Sequence, residues 1–378
     1  MNFDLSEEQN LLKDSVARLV QDAYAFDARC KIAASEHGFS REHWQTFADL
    51  GWLSLPFAEE HGGIGGGAVH TMLLMEEFGK GLVLEPYVAT VLLFGGLLRR
   101  SGNAERQKQL IGRIIDGSLQ GAFAYLERQS RFQLADIKTT LTRAADAFVL
   151  NGDKTVVFNG AAADELVVSA RSGGGQCDER GISLAVVNAG APGIERTVYR
   201  LMDGQVVANI RLRNVRVAAD QLLGGEGEGF GLMQAVVHEA ILAVCAEALG
   251  IMQKLNEITL EYVKTRKQFG VTIGTFQALQ HRLVDMFSAC EQTRSLLYRA
   301  VCSVDEGGID ADRNILALKV MVGKAGKLIG GEAIQLHGGM GITDELNVGH
   351  YVKRLIMINA SFGDADFQKQ LFAKLSYV

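Results

Sequence analysis

The chain has 378 residues, enough for two or three domains with well-buried cores, and 48% are apolar and 22% charged, as in an ordinary globular protein. A net charge of −6 and a pI near 5.8 leave no broad basic field to neutralise phosphates, which argues against nucleic acid as a partner. No uninterrupted apolar run is long enough to span a bilayer, the first residues lack a signal-peptide pattern, and five widely spaced cysteines form no C-x-x-C pair, so a cytoplasmic protein without membrane association, disulfides or a metal site is expected.

The first third reads as helices, expected over residues 1–116. Ser6-Glu-Glu-Gln9 is a capping-box pattern, and Leu11, Leu12, Val16, Leu19 and Val20 follow at helical spacing. Ser40 opens a second helix with Trp44, Phe47 and Leu50 on one stripe, and Gly51 stops it. Pro56 to Gly67 holds five glycines and reads as a loop, followed by helices over Val69–Leu84, Tyr87–Arg100 and Ala104–Ile115.

Between 117 and 224 the pattern changes to alternating β-branched and aromatic residues, which predicts an antiparallel, barrel-like β-domain. Two hairpins are expected, with turns at Asn151-Gly152 and Asp203-Gly204. Gly224 to Gly231 lacks the G-x-G-x-x-G spacing, and Glu226 and Glu228 oppose a phosphate, so it reads as a link. Long helical patterns then run over 225–378, which predicts a C-terminal four-helix bundle and an α+β chain of three segments.

Several residues carry possible chemistry. Arg266, Gln268 and Phe269 lie where a helix gives way to Gly270; an arginine there offers a charge-assisted fork to a phosphate, and an aromatic ring stacks on a planar one. Gln335 with Gly338 and Gly339 pairs an amide with backbone open to close approach. Lys264 to Lys267 and Lys353-Arg354 read either as anion contacts or as solvated helix faces. Glu247 interrupts an apolar run, Ala240 to Met252, and needs either protonation or a buried cation beside it. Asp364 and Asp366 follow Gly363, and Asp366 suits a helix cap.

Taken in order, Arg266-Lys-Gln-Phe-Gly270, Phe276-Gln277 and Gln335-Leu-His-Gly-Gly-Met-Gly341 resemble the acyl-CoA dehydrogenase family along the whole chain. Gly349 to Arg354 and Phe362 to Asp366 resemble the small subunit of pimeloyl-CoA dehydrogenase and related heteromeric enzymes. The resemblance implies bound FAD, with Arg266, Gln268, Phe269, Gln277, Gln335, Gly338 and Gly339 serving the nucleotide end of a cofactor shared between subunits. It also implies an acyl-CoA substrate desaturated at the alpha and beta carbons, an electron-transferring flavoprotein as electron acceptor, and a homo- or hetero-oligomer, a dimer of dimers.

Two departures stand out. The family's T-E-P-x-A-G-S-D run is here Leu126 to Phe132, keeping only Glu127, and its W-I-T-N strand is Val156-Val157-Phe158-Asn159. The usual proton-abstracting Glu is replaced by Phe362, and its alternative position, on the helix after the link, is Ala240. Glu247, seven residues after Ala240 and on the same side of that helix, is the leading candidate for the base, with a structural ion pair as the competing role. Asp364 is the second candidate. A non-catalytic subunit that completes a partner's FAD site is the alternative reading of the chain.

Overall fold

The computed structural model describes residues 5–376. In chain order these form α1 (Glu7–Ala23), α2 (Phe26–Ala34), α3 (Arg41–Asp49), α4 (Ala68–Gly81), a π-helix (Val88–Phe94) continuing into α5 (Gly95–Arg100), and α6 (Ala104–Ile115). The strands are β1 (Gly121–Ala124), β2 (Thr140–Ala144), β3 (Ala147–Phe158), β4 (Glu165–Arg171), β5 (Ile182–Asn188), β6 (Ile194–Arg200), β7 (Val206–Ala218) and β8 (Leu222–Leu223). After them come α7 (Phe230–Thr265), the short strands β9 (Lys267–Gln268) and β10 (Val271–Thr272), α8 (Gln277–Asp305), α9 (Ala311–His337), α10 (Val348–Ala360) and α11 (Ala365–Ser376). Two compact units result. Among the described residues, one joins 5–31, Ala68–Val83 and 241–376; the other joins Ile32–Gly67 and Leu84–Ala240.

In the helical unit, α1 begins at the capping box. Ser6 Oγ accepts the Gln9 amide N–H, and Gln9 Oε1 accepts that of Ser6. α9 is the hub on which α8, α10 and α11 pack. The unit also includes α1 and α4, so it is broader than the expected four-helix bundle. α4 crosses α7 with backbone on backbone. A Cβ at Gly79 would lie 2.0 Å from Glu247 O, and one at Gly250 would lie 1.9 Å from Glu76 O. Only glycine permits that approach, and it fixes the backbone carrying Glu247.

The second unit is built on one sheet in the order β6-β7-β3-β2-β4-β5-β8, with β1 added to β4. Its core holds Leu141, Phe148, Leu150, Leu166, Val187 and Leu212, each at most 2% exposed. Along β7, Val207, Ile210, Leu212, Val215 and Val217 are buried while Arg211, Arg213 and Arg216 face solvent, the period-two pattern of a half-buried strand.

Three expectations are corrected. The sheet is open rather than barrel-like, because β8 is two residues long and pairs only with β5, leaving β6 as a free edge. The sheet is mixed, since β4 runs parallel to both β1 and β2. Asn151-Gly152 is not a turn. β3 runs through it, and the hairpin turns at Ala145-Asp146, where Ala144 pairs Ala147. Gly152 serves a close approach instead: a Cβ there would lie 2.3 Å from Thr139 Oγ1, and the register with β7 shifts beside it. The hairpin at Asp203-Gly204 does form, between β6 and β7, in a loop closed by Leu201 N–H donating to Gln205 O at 2.8 Å.

Candidate functional site

The nucleotide-end candidates converge at one end of the helical unit. α7 ends at Thr265, and β9 and β10 form a two-residue hairpin whose turn is Phe269-Gly270, with φ of +56° and +81°. Positive φ at both central residues is the type I′ geometry that suits a tight hairpin, and it thrusts the Phe269 ring outwards. That ring is 91% exposed and meets Phe276 edge-on at 6.3 Å. The end of α9 is brought to the same place by Tyr262. Its ring lies 4.3 Å from that of His337, and its hydroxyl donates to His337 O at 3.4 Å. His337 is buried, which lowers its pKa, while its Nδ1–H bonds Ala333 O at 2.8 Å.

Gly338 then ends α9 with φ of +62°. A Cβ at Gly338 or Gly339 would meet nothing within 4 Å among the described residues, so the backbone there is open. The side chains of Arg266, Gln277 and Gln335 are exposed and make no ion pair or hydrogen bond with any described residue. A guanidinium, two amides, an exposed ring and bare backbone at one place are donors and a stacking surface suited to a nucleotide diphosphate.

The loop after β1 is organised around Glu127. Its Oε1 accepts from Lys154 Nζ at 2.8 Å and from Thr139 N–H at 3.0 Å; its Oε2 accepts from Lys138 N–H and Gln129 Nε2, each at 2.8 Å. Lys154 Nζ also donates to Ser169 Oγ at 3.0 Å. Burial opposes the charge on Glu127, yet the Lys154 ammonium and these hydrogen bonds hold its carboxyl down to about 2. Burial pulls Lys154 down to about 8, against the attraction of Glu127. Glu127 therefore shapes the loop, which carries Arg128, Arg131 and Lys138 exposed on its outside.

Glu247 is 3% exposed and has a largely buried partner. Arg354 of α10 grips it with two bonds, Nε to Oε1 at 2.5 Å and Nη2 to Oε2 at 2.7 Å. Both carboxylate oxygens are thus taken by one guanidinium fork, and proton abstraction first requires Arg354 to leave. Asp364 Oδ1 accepts the Phe367 N–H at 2.9 Å and caps α11, while Asp366 lies exposed in the first turn of that helix. Ala240 is fully buried on α7. Phe362 is in the left-handed region, with φ of +58°.

Arg354 was legible only as half of a basic pair, yet it is no solvated residue: its side chain is 11% exposed. The lone glutamate in the apolar run of α7 is the signal that calls for it. Lys353 beside it does face solvent, 2.9 Å from Asp344. Lys319 likewise interrupts an apolar run, Ile315 to Val322, and it is fully buried.

Known proteins resemble this chain over its whole length. Family models described as the N-terminal, middle and C-terminal domains of acyl-CoA dehydrogenase match residues 6–118, 122–215 and 227–375. A probable acyl-CoA dehydrogenase of Bacillus subtilis is 28% identical over 99% of both chains. A solved FAD complex of PigA is 28% identical, with a TM-score of 0.92, over 99% of this chain and 98% of that one. The ChsE4–ChsE5 complex of Mycobacterium tuberculosis is 25% identical, with a TM-score of 0.90, over all of both chains. The cofactor of such proteins is FAD, and the donor set at Arg266 and Gln335 fits it; the chain belongs to the acyl-CoA dehydrogenase family.

Proposed function

We propose that this chain is a subunit of a heteromeric FAD-dependent acyl-CoA dehydrogenase, of the kind that includes pimeloyl-CoA dehydrogenase. The assembled enzyme desaturates an acyl-CoA thioester between its alpha and beta carbons and passes the electrons to an electron-transferring flavoprotein. FAD supplies the hydride acceptor. Arg266, Gln268, Gln277, Gln335, Gly338 and Gly339 hold its nucleotide end, with Phe269 stacking there, and a neighbouring subunit completes the site. Support for an assembly comes from the apolar side chains that the helical unit leaves bare: Phe269, Val271, Phe276, Val284, Phe287, Met340 and Ile342, each at least 38% exposed. The turn at 361–364 borders the acyl thioester, and Phe362 walls it.

In this reading the alpha proton is taken by a carboxylate of the partner subunit. The observation that carries it is the Glu247–Arg354 fork, which leaves the best-placed carboxylate of this chain saturated. A second reading, with Glu247 as the base after Arg354 departs, rests on one observation: Glu247 lies in an otherwise apolar stretch of α7. The test is the flavin content of the purified chain, alone and with a co-produced partner. The chain alone should be flavin-poor and gain FAD on mixing, with an interface on the order of 2,000 Å² or more. A monomer that holds stoichiometric FAD contradicts the proposal.

A further inference from the structure

Lys319 is a buried ammonium that no step above uses. It sits on α9, fully buried, with no carboxylate oxygen within 4.0 Å among the described residues. Its Nζ donates to Ile358 O and, at 3.5 Å, to Asn359 O, carbonyls in the last turn of α10. A cation at a helix C-terminus interacts favourably with the dipole, but a surface residue could do that without the cost of burying a charge. Burial, with the Arg354 guanidinium nearby, indeed pulls this lysine down to about 8, against only partial opposition from Cys245 and Asp364. A methionine of similar length would fill the space at lower cost, so stability alone does not account for the charge.

What Lys319 grips is the base of an unusual turn. Phe362 and Gly363 both have positive φ, +58° and +98°. For a bulky residue that is strain, which persists only where the surroundings over-determine it. The surroundings do so from two sides. One turn beyond Lys319, a Cβ at Gly323 would lie 2.3 Å from Asn359 Oδ1 and 2.8 Å from Ala365 Cβ, so α9 presses directly on the turn. Asn359 Oδ1 accepts the Ala365 N–H at 3.3 Å. From the far side, the buried Gln368 donates its Nε2–H to Phe362 O at 2.6 Å. Upstream, α10 is pinned by Arg354 to Glu247 and by Tyr351, whose hydroxyl donates to Lys80 O at 2.5 Å.

We propose that Lys319 is a positioning residue: acting through the carbonyls of Ile358 and Asn359, it locks the 358–364 turn and so sets where Phe362 stands at the acyl thioester. The last clause rests on the functional reading above; the locking of the turn does not. Lys319→Met and Gly323→Ala both disturb the same clamp, one by removing the cation and one by pushing Asn359 away.

The test uses the assembled holoenzyme and two readouts. Hydrogen exchange should show the amides of 360–368 exchanging about tenfold faster or more in Lys319→Met, while α8 and the first turns of α9 keep their protection. Flavin content should be unchanged, and bleaching by an acyl-CoA should show a weakened apparent substrate affinity or a slowed reductive step, by about tenfold or more. Unchanged exchange over 360–368 overturns the proposal. So does protection lost evenly across the unit, or failure of both variants to fold, since each marks Lys319 as a purely structural residue. If exchange changes as expected but the wild-type assembly is bleached by no acyl-CoA, the functional reading has failed and the clamp stands.

Discussion

Glu127 and Glu247 are both buried carboxylates paired with a cation, Lys154 and Arg354, yet they are held in different ways. Glu127 receives four hydrogen bonds from Lys154, Gln129 and two backbone N–H groups, all serving one loop. Among the described residues the Glu247 side chain is held by Arg354 alone, and that single guanidinium links α7 to α10. The first carboxylate is over-determined and belongs to the architecture. The second is held by one side chain, which is why its role is the point at which the two functional readings part.

The comparison is sharpest where a partner is removed. Lys154→Met strands a buried carboxylate and should destabilise towards the upper end of about 3–5 kcal/mol in chemical denaturation. Arg354→Met should cost towards the lower end of that range, about 3 kcal/mol, and adding Glu247→Gln should restore part of the loss, because no uncompensated charge then remains. If Lys154→Met is neutral, the contrast between the two sites collapses.

Acid should probe the Glu127 site directly. The carboxyl of Glu127 titrates at about 2 against an ordinary 4.5. Its folded pKa is depressed, so its contribution to stability is complete above 4.5 and is lost as pH falls towards 2. Unfolding measured between pH 5 and 2 should become less acid-dependent in Glu127→Gln than in the wild type.

The exposed end of the helical unit should answer differently. Arg266→Ala should leave the fold intact and weaken FAD binding by about 1.5–3 kcal/mol, the worth of a hydrogen bond to a charged group. Normal FAD affinity in that variant removes Arg266 from the site. The smallest effect lies in the β2–β3 turn. Ala145 has φ of +53°, so Ala145→Gly should raise stability by about 0.5–1 kcal/mol.

Much of this was legible in the chain before its fold was known. Helix starts at Ser6 and Ser40 followed from cap chemistry, because local rules decide them; the nucleotide-end residues rest instead on the resemblance of their motifs to the acyl-CoA dehydrogenase family. The errors share a cause. Asn151-Gly152 has the composition of a turn, but Thr139 approaches Gly152 from thirteen residues away and needs the missing side chain. Arg354 and Lys319 look like surface charges until Glu247 and the end of α10 are placed against them, and those contacts span 107 and 39 residues. Sheet closure likewise depends on whether a distant strand is long enough to pair.

The central claim is that Glu247 anchors α7 to α10 and does not abstract the alpha proton. The most direct test is rapid anaerobic mixing of the assembled Glu247→Gln enzyme with an acyl-CoA, scored per bound flavin and set beside its melting temperature. The account predicts a clearly lowered melting temperature with a reductive rate within about threefold of wild type. A melting temperature kept at the wild-type value, with flavin bleaching slowed by roughly 10²–10⁴-fold, the usual worth of a positioned general base, would contradict it.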